Sequence, residues 1–242
     1  MTEVKRSIVV ACDGPPEQFE GLINATVGVP GISGYKLGCI LGLQGLERAV
    51  RLVDQFSRNK NHPLVIYDHQ KGGTDIPKMG SGYARVIKDS GVDAAILFPL
   101  SGPQTLQLWT ESCLKVGLRV LVGLAMTHEN FFISEGGWVD DYAPEKAFRL
   151  ACKLGVRDFV VPGNKLNWVV KLRLVLDGEL GAGNFTLWSP GFIDQKGEIT
   201  ECGKVAGRNW HAIIGSAIYN HATFEEMHEA AKKLGQDILA LT

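Results

Sequence analysis

Eight short apolar runs, several of them rich in β-branched residues and each closed by a Gly, Pro or polar residue, recur along the chain. They are SIVVACD ending at Asp13, GYKLG ending at Gly38, PLVIYD ending at Asp68 and DAAILFP ending at Pro99. The second half continues with RVLVGLAMT to Thr127, DFVVPG to Gly163, FTLWSPG to Gly191 and HAIIG to Gly215. Successive ends lie 24 to 36 residues apart. Between them, QGLERAVRLVDQFSR, PQTLQLWTESCLKVG, PEKAFRLACKLG and TFEEMHEAAKKLG place apolar residues at three- and four-residue spacing, the period of an amphipathic helix. Three of these end in Lys-Val-Gly or Lys-Leu-Gly, which predicts a basic last turn closed by a C-terminal glycine. Eight strand-and-helix units in succession predict a (β/α)8 TIM barrel of the α/β class rather than a doubly wound open sheet. With no linker or low-complexity segment, residues 1–242 read as a single barrel domain.

Bulk composition narrows the classes of partner. The 25 basic and 26 acidic residues leave a formal charge of −1, and no basic stretch is interleaved with aromatics, so a nucleic-acid surface is not expected. Cys12, Cys39, Cys113, Cys152 and Cys202 lie far apart and form no CxxC pair, which predicts buried free thiols rather than a disulfide framework or a zinc site. No apolar run approaches about 18 residues, and the N-terminus has no signal-peptide pattern. The expectation is a cytoplasmic protein with no membrane partner.

Asp13, Lys36, Asp68, Lys71, Asp75 and Thr127 fall at the carboxyl ends of the predicted strands, where barrel chemistry sits. Isolated charges on barrel strands are strongly disfavoured, so five charges gathered at one end read as a site. Taken alone, LVIYDHQKGGTDIP also fits a solvated turn carrying a surface ion pair.

In this order the residues resemble the orotidine 5′-monophosphate decarboxylase family. VVACDG matches its Asp after strand one, YKLG its Lys after strand two, and YDHQKGGTDIP its D-x-K-x-x-D-I motif after strand three. GLAMTH resembles its Met-Ser/Thr-His segment, SPGFIDQ its phosphate loop after strand seven, and IIGSAIY its Gly-Arg-Ser-Ile-Tyr after strand eight. The resemblance spans nearly the whole chain. It implies a metal- and cofactor-independent decarboxylase of a small nucleotide, acting as a homodimer with shared sites.

By that resemblance Lys71 is the catalytic cation. A fixed ammonium stabilises the negative charge that loss of carbon dioxide leaves on carbon 6 of the pyrimidine, and then supplies the proton. Asp68 and Asp75 keep it charged, since opposite charges nearby favour the ionised form. Asp13 and Lys36 hold the ribose hydroxyls, Asp75 and Ile76 reach into the partner's site, and Thr127 meets the pyrimidine edge. Pro190, Gly191, Gln195, Gly215 and Ser216 receive the phosphate.

Two departures from the family pattern stand out. Asp68, Lys71 and Asp75 are spaced by three and four residues, where the family has two and three. A three-residue step in a continuous strand turns Lys71 away from Asp68, so Gly72 and Gly73 are expected to permit a bulge or an early strand end. Ser216 stands where the family carries a phosphate-gripping arginine. The replacement cation expected from the sequence is Lys196, with Lys165 second. Two alternatives stay open: a metal-dependent keto-sugar phosphate decarboxylase or aldolase, against which Lys36 stands in place of a Glu, and a noncatalytic phosphonucleotide-binding barrel.

Overall fold

The computed structural model describes residues 6–57, 62–69, 72–192 and 198–241. Each apolar run carries a strand: β1 (Arg6–Cys12), β2 (Ile32–Leu37), β3 (Leu64–Tyr67) and β4 (Ala94–Leu97). The second half supplies β5 (Arg119–Gly123), β6 (Asp158–Val160), β7 (Thr186–Ser189) and β8 (Trp210–Ile214). Every strand pairs in parallel with the next, and β8 closes on β1. Strands buried on both faces need near-continuous apolar sequence, which is why these runs were visible as blocks rather than as an alternation.

The helices follow the strands around the outside. They are α1 (Pro16–Thr26), α2 (Cys39–Leu43), α3 (Leu46–Ser57), α4 (Gly80–Asp89) and α5 (Pro103–Lys115). Then come α6 (Ala143–Lys153), α7 (Leu166–Leu180), α8 (Ile199–Ala206), α9 (Ser216–Tyr219) and α10 (Phe224–Leu239). Two apolar clusters result. The inner one, with Val9, Ala11, Ile66, Ile96, Leu121, Val160 and Ile213, fills the barrel. The outer one packs helices on strands and takes in Phe19, Tyr35, Phe148, Phe159 and Trp210. Among the described residues no helix is long and apolar enough to cross a membrane.

The glycine stop signals hold twice and fail once. α5 ends at Lys115 and α6 at Lys153, and Gly117 and Gly155 follow with φ of +77° and +91°. At Lys-Leu-Gly 233–235 the helix runs on, through Gly235, to Leu239. A Cβ at Gly235 would lie 2.2 Å from the Pro30 carbonyl oxygen, so this glycine serves close approach of two backbones rather than termination. The strands also stop short of the runs that announced them. Pairing of β5 with β6 ends at Gly123↔Val160, and the chain beyond it lines the mouth of the barrel instead.

Candidate active site

The register of the first three strands assembles a charge group around a buried lysine. Ala11 pairs with Lys36 and Lys36 with Ile66, which puts the lysine on the same inward side as two residues of the inner cluster. Asp13 and Asp68 stand two positions beyond Ala11 and Ile66, and the period-two alternation turns them the same way. Lys36, only 5% exposed, therefore lies between two carboxylates, with Nζ donating to Asp13 Oδ1 at 2.7 Å and to Asp68 Oδ2 at 3.2 Å. Burial works against its ammonium. The fields of Asp68 and Asp13, with the hydrogen bonds to both, outweigh that effect and hold its pKa above the ordinary lysine value.

This group opens onto a cavity of about 330 Å³, within the usual range for small-ligand sites. One wall is Asp13, Lys36 and Asp68, and the floor is apolar, with Ala11, Ile96, Val160 and Ile213. Phe98, Ala125, Met126 and Thr127 form a second wall. The far end is made by Pro190, Gly191, Phe192, Gly215, Ser216 and Tyr219. A Cβ at Gly215 would come 3.0 Å from the Tyr219 ring and 3.2 Å from the Ala11 carbonyl oxygen, so glycine there leaves room for the ring on the cavity wall. Among the described lining residues Lys36 is the one cation, and two acids hold it.

Of the residues singled out from sequence, Asp13, Lys36, Asp68, Thr127, Pro190, Gly191, Gly215 and Ser216 meet around this cavity. Asp75 and Ile76 do not line it and are exposed. Lys71, Gln195 and Lys196 lie outside the described residues. Lys165 is engaged elsewhere: its Nζ donates to both Glu135 carboxylate oxygens, at 2.6 and 2.9 Å, and to the His128 carbonyl at 2.9 Å. Glu135 responds to this: burial pushes its carboxyl up, but Lys165 and the amides of Phe131 and Phe132 outweigh it and hold the pKa below the usual range. That pairing removes Lys165 as the second choice for a phosphate cation.

The loop after β3 is tied to the next strand-and-helix unit in a way no local pattern announced. The strand ends at Tyr67, before Asp68. Phe98 N–H donates to the Gly72 carbonyl at 2.7 Å, and Ser101 Oγ donates to that of Thr74. Thr105 Oγ1 donates to the Asp75 carbonyl at 2.9 Å, and Trp109 Nε1 to that of Ile76 at 3.2 Å. Four carbonyls are thus anchored on α5 and on the connection from β4 to α5. Sequence reading also passed over Phe98, Met126, Phe192 and Tyr219 as wall residues. Only their places just past strand ends, or just inside α9, could have marked them. No group of three or more His, Cys, Asp or Glu side chains suited to a metal ion occurs among the described residues.

A closed parallel barrel with a charged, half-apolar cavity at the carboxyl ends of its strands defines the class: a (β/α)8-barrel protein with a small-ligand site in the position where such barrels do chemistry. No protein-family model matches the chain. It is 28% identical over 168 residues to an orotidine 5′-phosphate decarboxylase of Methanosarcina barkeri, covering 69% of this chain and 68% of that protein. To the corresponding protein of Methanosarcina mazei it is 27% identical over 166 residues, with 69% of each covered. A solved orotidine 5′-monophosphate decarboxylase from Methanocaldococcus jannaschii, complexed with the inhibitor BMP, matches with a TM-score of 0.78 at 18% identity over 97% of this chain and 99% of that one. One from Pyrococcus horikoshii gives 0.72 at 20% identity over 96% and 99%. In sequence the chain is similar to these orotidine 5′-phosphate decarboxylases, and it shares its fold with the solved ones.

Proposed function

We propose that the protein converts orotidine 5′-monophosphate to uridine 5′-monophosphate without a metal or other cofactor. The observation that carries this reading is the Asp13–Lys36–Asp68 chain of charges facing the cavity, in a chain related in sequence to decarboxylases of that nucleotide. In the reaction the bond from carbon 6 to the carboxylate breaks and its electron pair stays on carbon 6. Lys71 then transfers a proton from its ammonium to that carbon. Asp68 faces the departing carboxylate and, with Asp75, keeps the Lys71 ammonium charged. Asp13 and Lys36 take the ribose hydroxyls, and Thr127 the pyrimidine edge.

The phosphate goes to the far end of the cavity, toward Pro190, Gly191, Gly215 and Ser216, with Gln195 from the same loop as Pro190. No described residue there is cationic, and Lys165 is held by Glu135. This supports Lys196 as the cation that replaces the family's arginine.

Asp75 and Ile76 are exposed while their carbonyls are anchored. That suits side chains presented to a second copy, in a homodimer with shared sites.

Mixing the purified protein with orotidylate and following its ultraviolet absorbance tests the activity. Loss of the substrate spectrum with uridylate as product is expected, and persistence in a chelator separates this reading from a metal-dependent decarboxylase or aldolase. Binding without turnover would instead favour a noncatalytic nucleotide-binding barrel. Lys71→Ala is expected to bind nucleotide and lose at least about two to three orders of magnitude in turnover. Activity recovered on mixing inactive Lys71→Ala with inactive Asp75→Asn marks the shared dimer, because some mixed dimers contain one intact site. No recovery after verified subunit exchange removes Asp75 from a partner's site.

A further inference from the structure

Beside the cavity, on the outer side of β3, stands an aromatic group that the reaction described above does not use. Tyr67 Oη and His69 Nδ1 are 2.5 Å apart, and His69 lies edge-on to Tyr83 with ring centroids separated by 6.3 Å. Tyr83, on α4, packs against Trp109 at 4.7 Å. Its phenolic oxygen is buried and has no hydrogen-bond partner among the described residues. An unpaired buried hydroxyl is destabilising, and phenylalanine at this place would avoid it. The oxygen is therefore retained for something other than stability.

What it abuts is Gly72. A Cβ built on that glycine would lie 3.1 Å from Tyr83 Oη and 3.0 Å from the Ile96 carbonyl oxygen. The Gly72 carbonyl meanwhile accepts from Phe98 N–H at 2.7 Å, and Phe98 lines the cavity. The next residue, Gly73, takes φ +85° with its Cβ position 3.3 Å from Pro99 Cα. Gly72 thus has its side-chain face closed by a helix-borne hydroxyl and a β4 carbonyl, while its own carbonyl is held by Phe98.

We infer that Tyr83 is a positioning residue for the β3–α4 loop: its hydroxyl is a wedge on the side-chain face of Gly72, next to the Ile96 carbonyl of β4, and with the Phe98 hydrogen bond it fixes where the loop is anchored to the cavity wall. Tyr83 acts as a neutral group. Burial, followed by the fields of Cys113, Tyr67 and Asp68, pushes its phenol above the ordinary tyrosine range. The kinetic consequence rests on the proposed decarboxylation, while the structural consequence does not.

Three variants test the wedge: Tyr83→Phe, Gly72→Ala and the double substitution. Tyr83→Phe keeps the ring and deletes the oxygen. It is expected to melt at or above the wild-type temperature, yet to lose about tenfold to a hundredfold in kcat with KM nearly unchanged, the size of loss that follows a small misplacement of a reacting group. Its Phe98 amide is expected to exchange with deuterium faster than in the wild type. Gly72→Ala is expected to lose more. The double variant recovers part of that loss, because the oxygen the new methyl would meet is gone.

Wild-type kcat together with wild-type Phe98 exchange in Tyr83→Phe overturns the inference. So does a double variant no better than Gly72→Ala, or a Tyr83→Phe protein that loses turnover and stability together. If the wild type does not consume orotidylate, the proposed activity falls. Phe98 exchange and the stability order of the three variants then still decide the wedge.

Discussion

The barrel holds a charge group built on a buried charged residue at each end, and the two differ in whether they are closed. At the amino-terminal end, Arg119 begins β5 and Asp158 begins β6. The guanidinium grips the carboxylate with two hydrogen bonds, of 2.7 and 2.5 Å, and the Trp188 indole N–H adds a third at 2.9 Å. Arg119 also lies 5.1 Å over the Trp188 ring. One cation meets one anion with fork geometry, and an aromatic face covers the pair. At the carboxyl-terminal end the Lys36 ammonium serves two carboxylates, and the group faces a cavity. Similar chemistry makes a closed pair at one end and, at the other, a charge group that opens onto a cavity.

The largest effect that could break this contrast is on turnover. Asp68→Asn removes one of the two carboxylates while Lys36 keeps Asp13. Turnover of orotidylate is expected to fall by about two to three orders of magnitude, with little change in the melting temperature. A fall below tenfold in a steady-state assay would make the carboxyl-terminal group structural as well.

Next in size is the opposite experiment. Asp158→Ala leaves the Trp188 N–H and the Arg119 guanidinium without their acceptor. Breaking a buried pair is strongly destabilising, but the Arg119 side chain is 42% exposed, so solvent recovers part of the loss. A net loss of about 2–3 kcal/mol is expected, read as a drop in Tm of roughly 4–12 °C, with kcat of the folded protein within about twofold of wild type. A large change in kcat at unchanged stability would move the Arg119–Asp158 pair into the functional machinery.

The smallest effect is a dependence on pH that distinguishes lysine from arginine. The folded pKa of Lys36 lies above its unfolded value, so its contribution to stability is fully present below the unfolded lysine pKa and is lost as pH rises through the folded one. Between the two values the folded state holds the extra proton, and the unfolding free energy falls by at most about 1.4 kcal/mol per pH unit for this one group. Tyr35 and Tyr67, pushed up to about 12 by burial, act in the same direction. The Lys36 share is therefore read as the difference between wild type and Lys36→Met in denaturant titrations above about pH 10. The Arg119 pair contributes no slope there, since arginine stays charged. Identical slopes in the two proteins would show that the acids do not hold the lysine.

How much of this was legible depended on the distance over which the information acts. The strands were readable because β-branched apolar runs mark both-sided burial within a few residues, and Asp13, Lys36 and Asp68 could be placed at strand ends by counting. Their pairing could not, since the partners of Lys36 lie 23 and 32 positions away. Asp158 read only as the first residue of a strand, because its arginine is 39 positions away. Lys165 looked free for a phosphate until the fold placed Glu135, 30 positions away, on its ammonium. The tripeptide Lys-Leu-Gly ends α6 and runs through α10, a difference created by the backbone of Pro30 and Gly31 packed on Gly235.

The sequence by itself determined the eightfold repeat, the class of fold and the set of ionisable residues that arrive at one end of the barrel, because hydrophobic periodicity and strand-end position are local properties of the chain. Closure of the sheet decided the rest. It set which carboxylates share Lys36, which pair seals the opposite end, and where the loop after β3 is anchored through Gly72, Thr74, Asp75 and Ile76. Those outcomes rest on contacts between neighbouring strand-and-helix units. Hydrogen bonds and ion pairs need their partners at about 3–4 Å, and only the tertiary arrangement brings residues so far apart in the chain to that range.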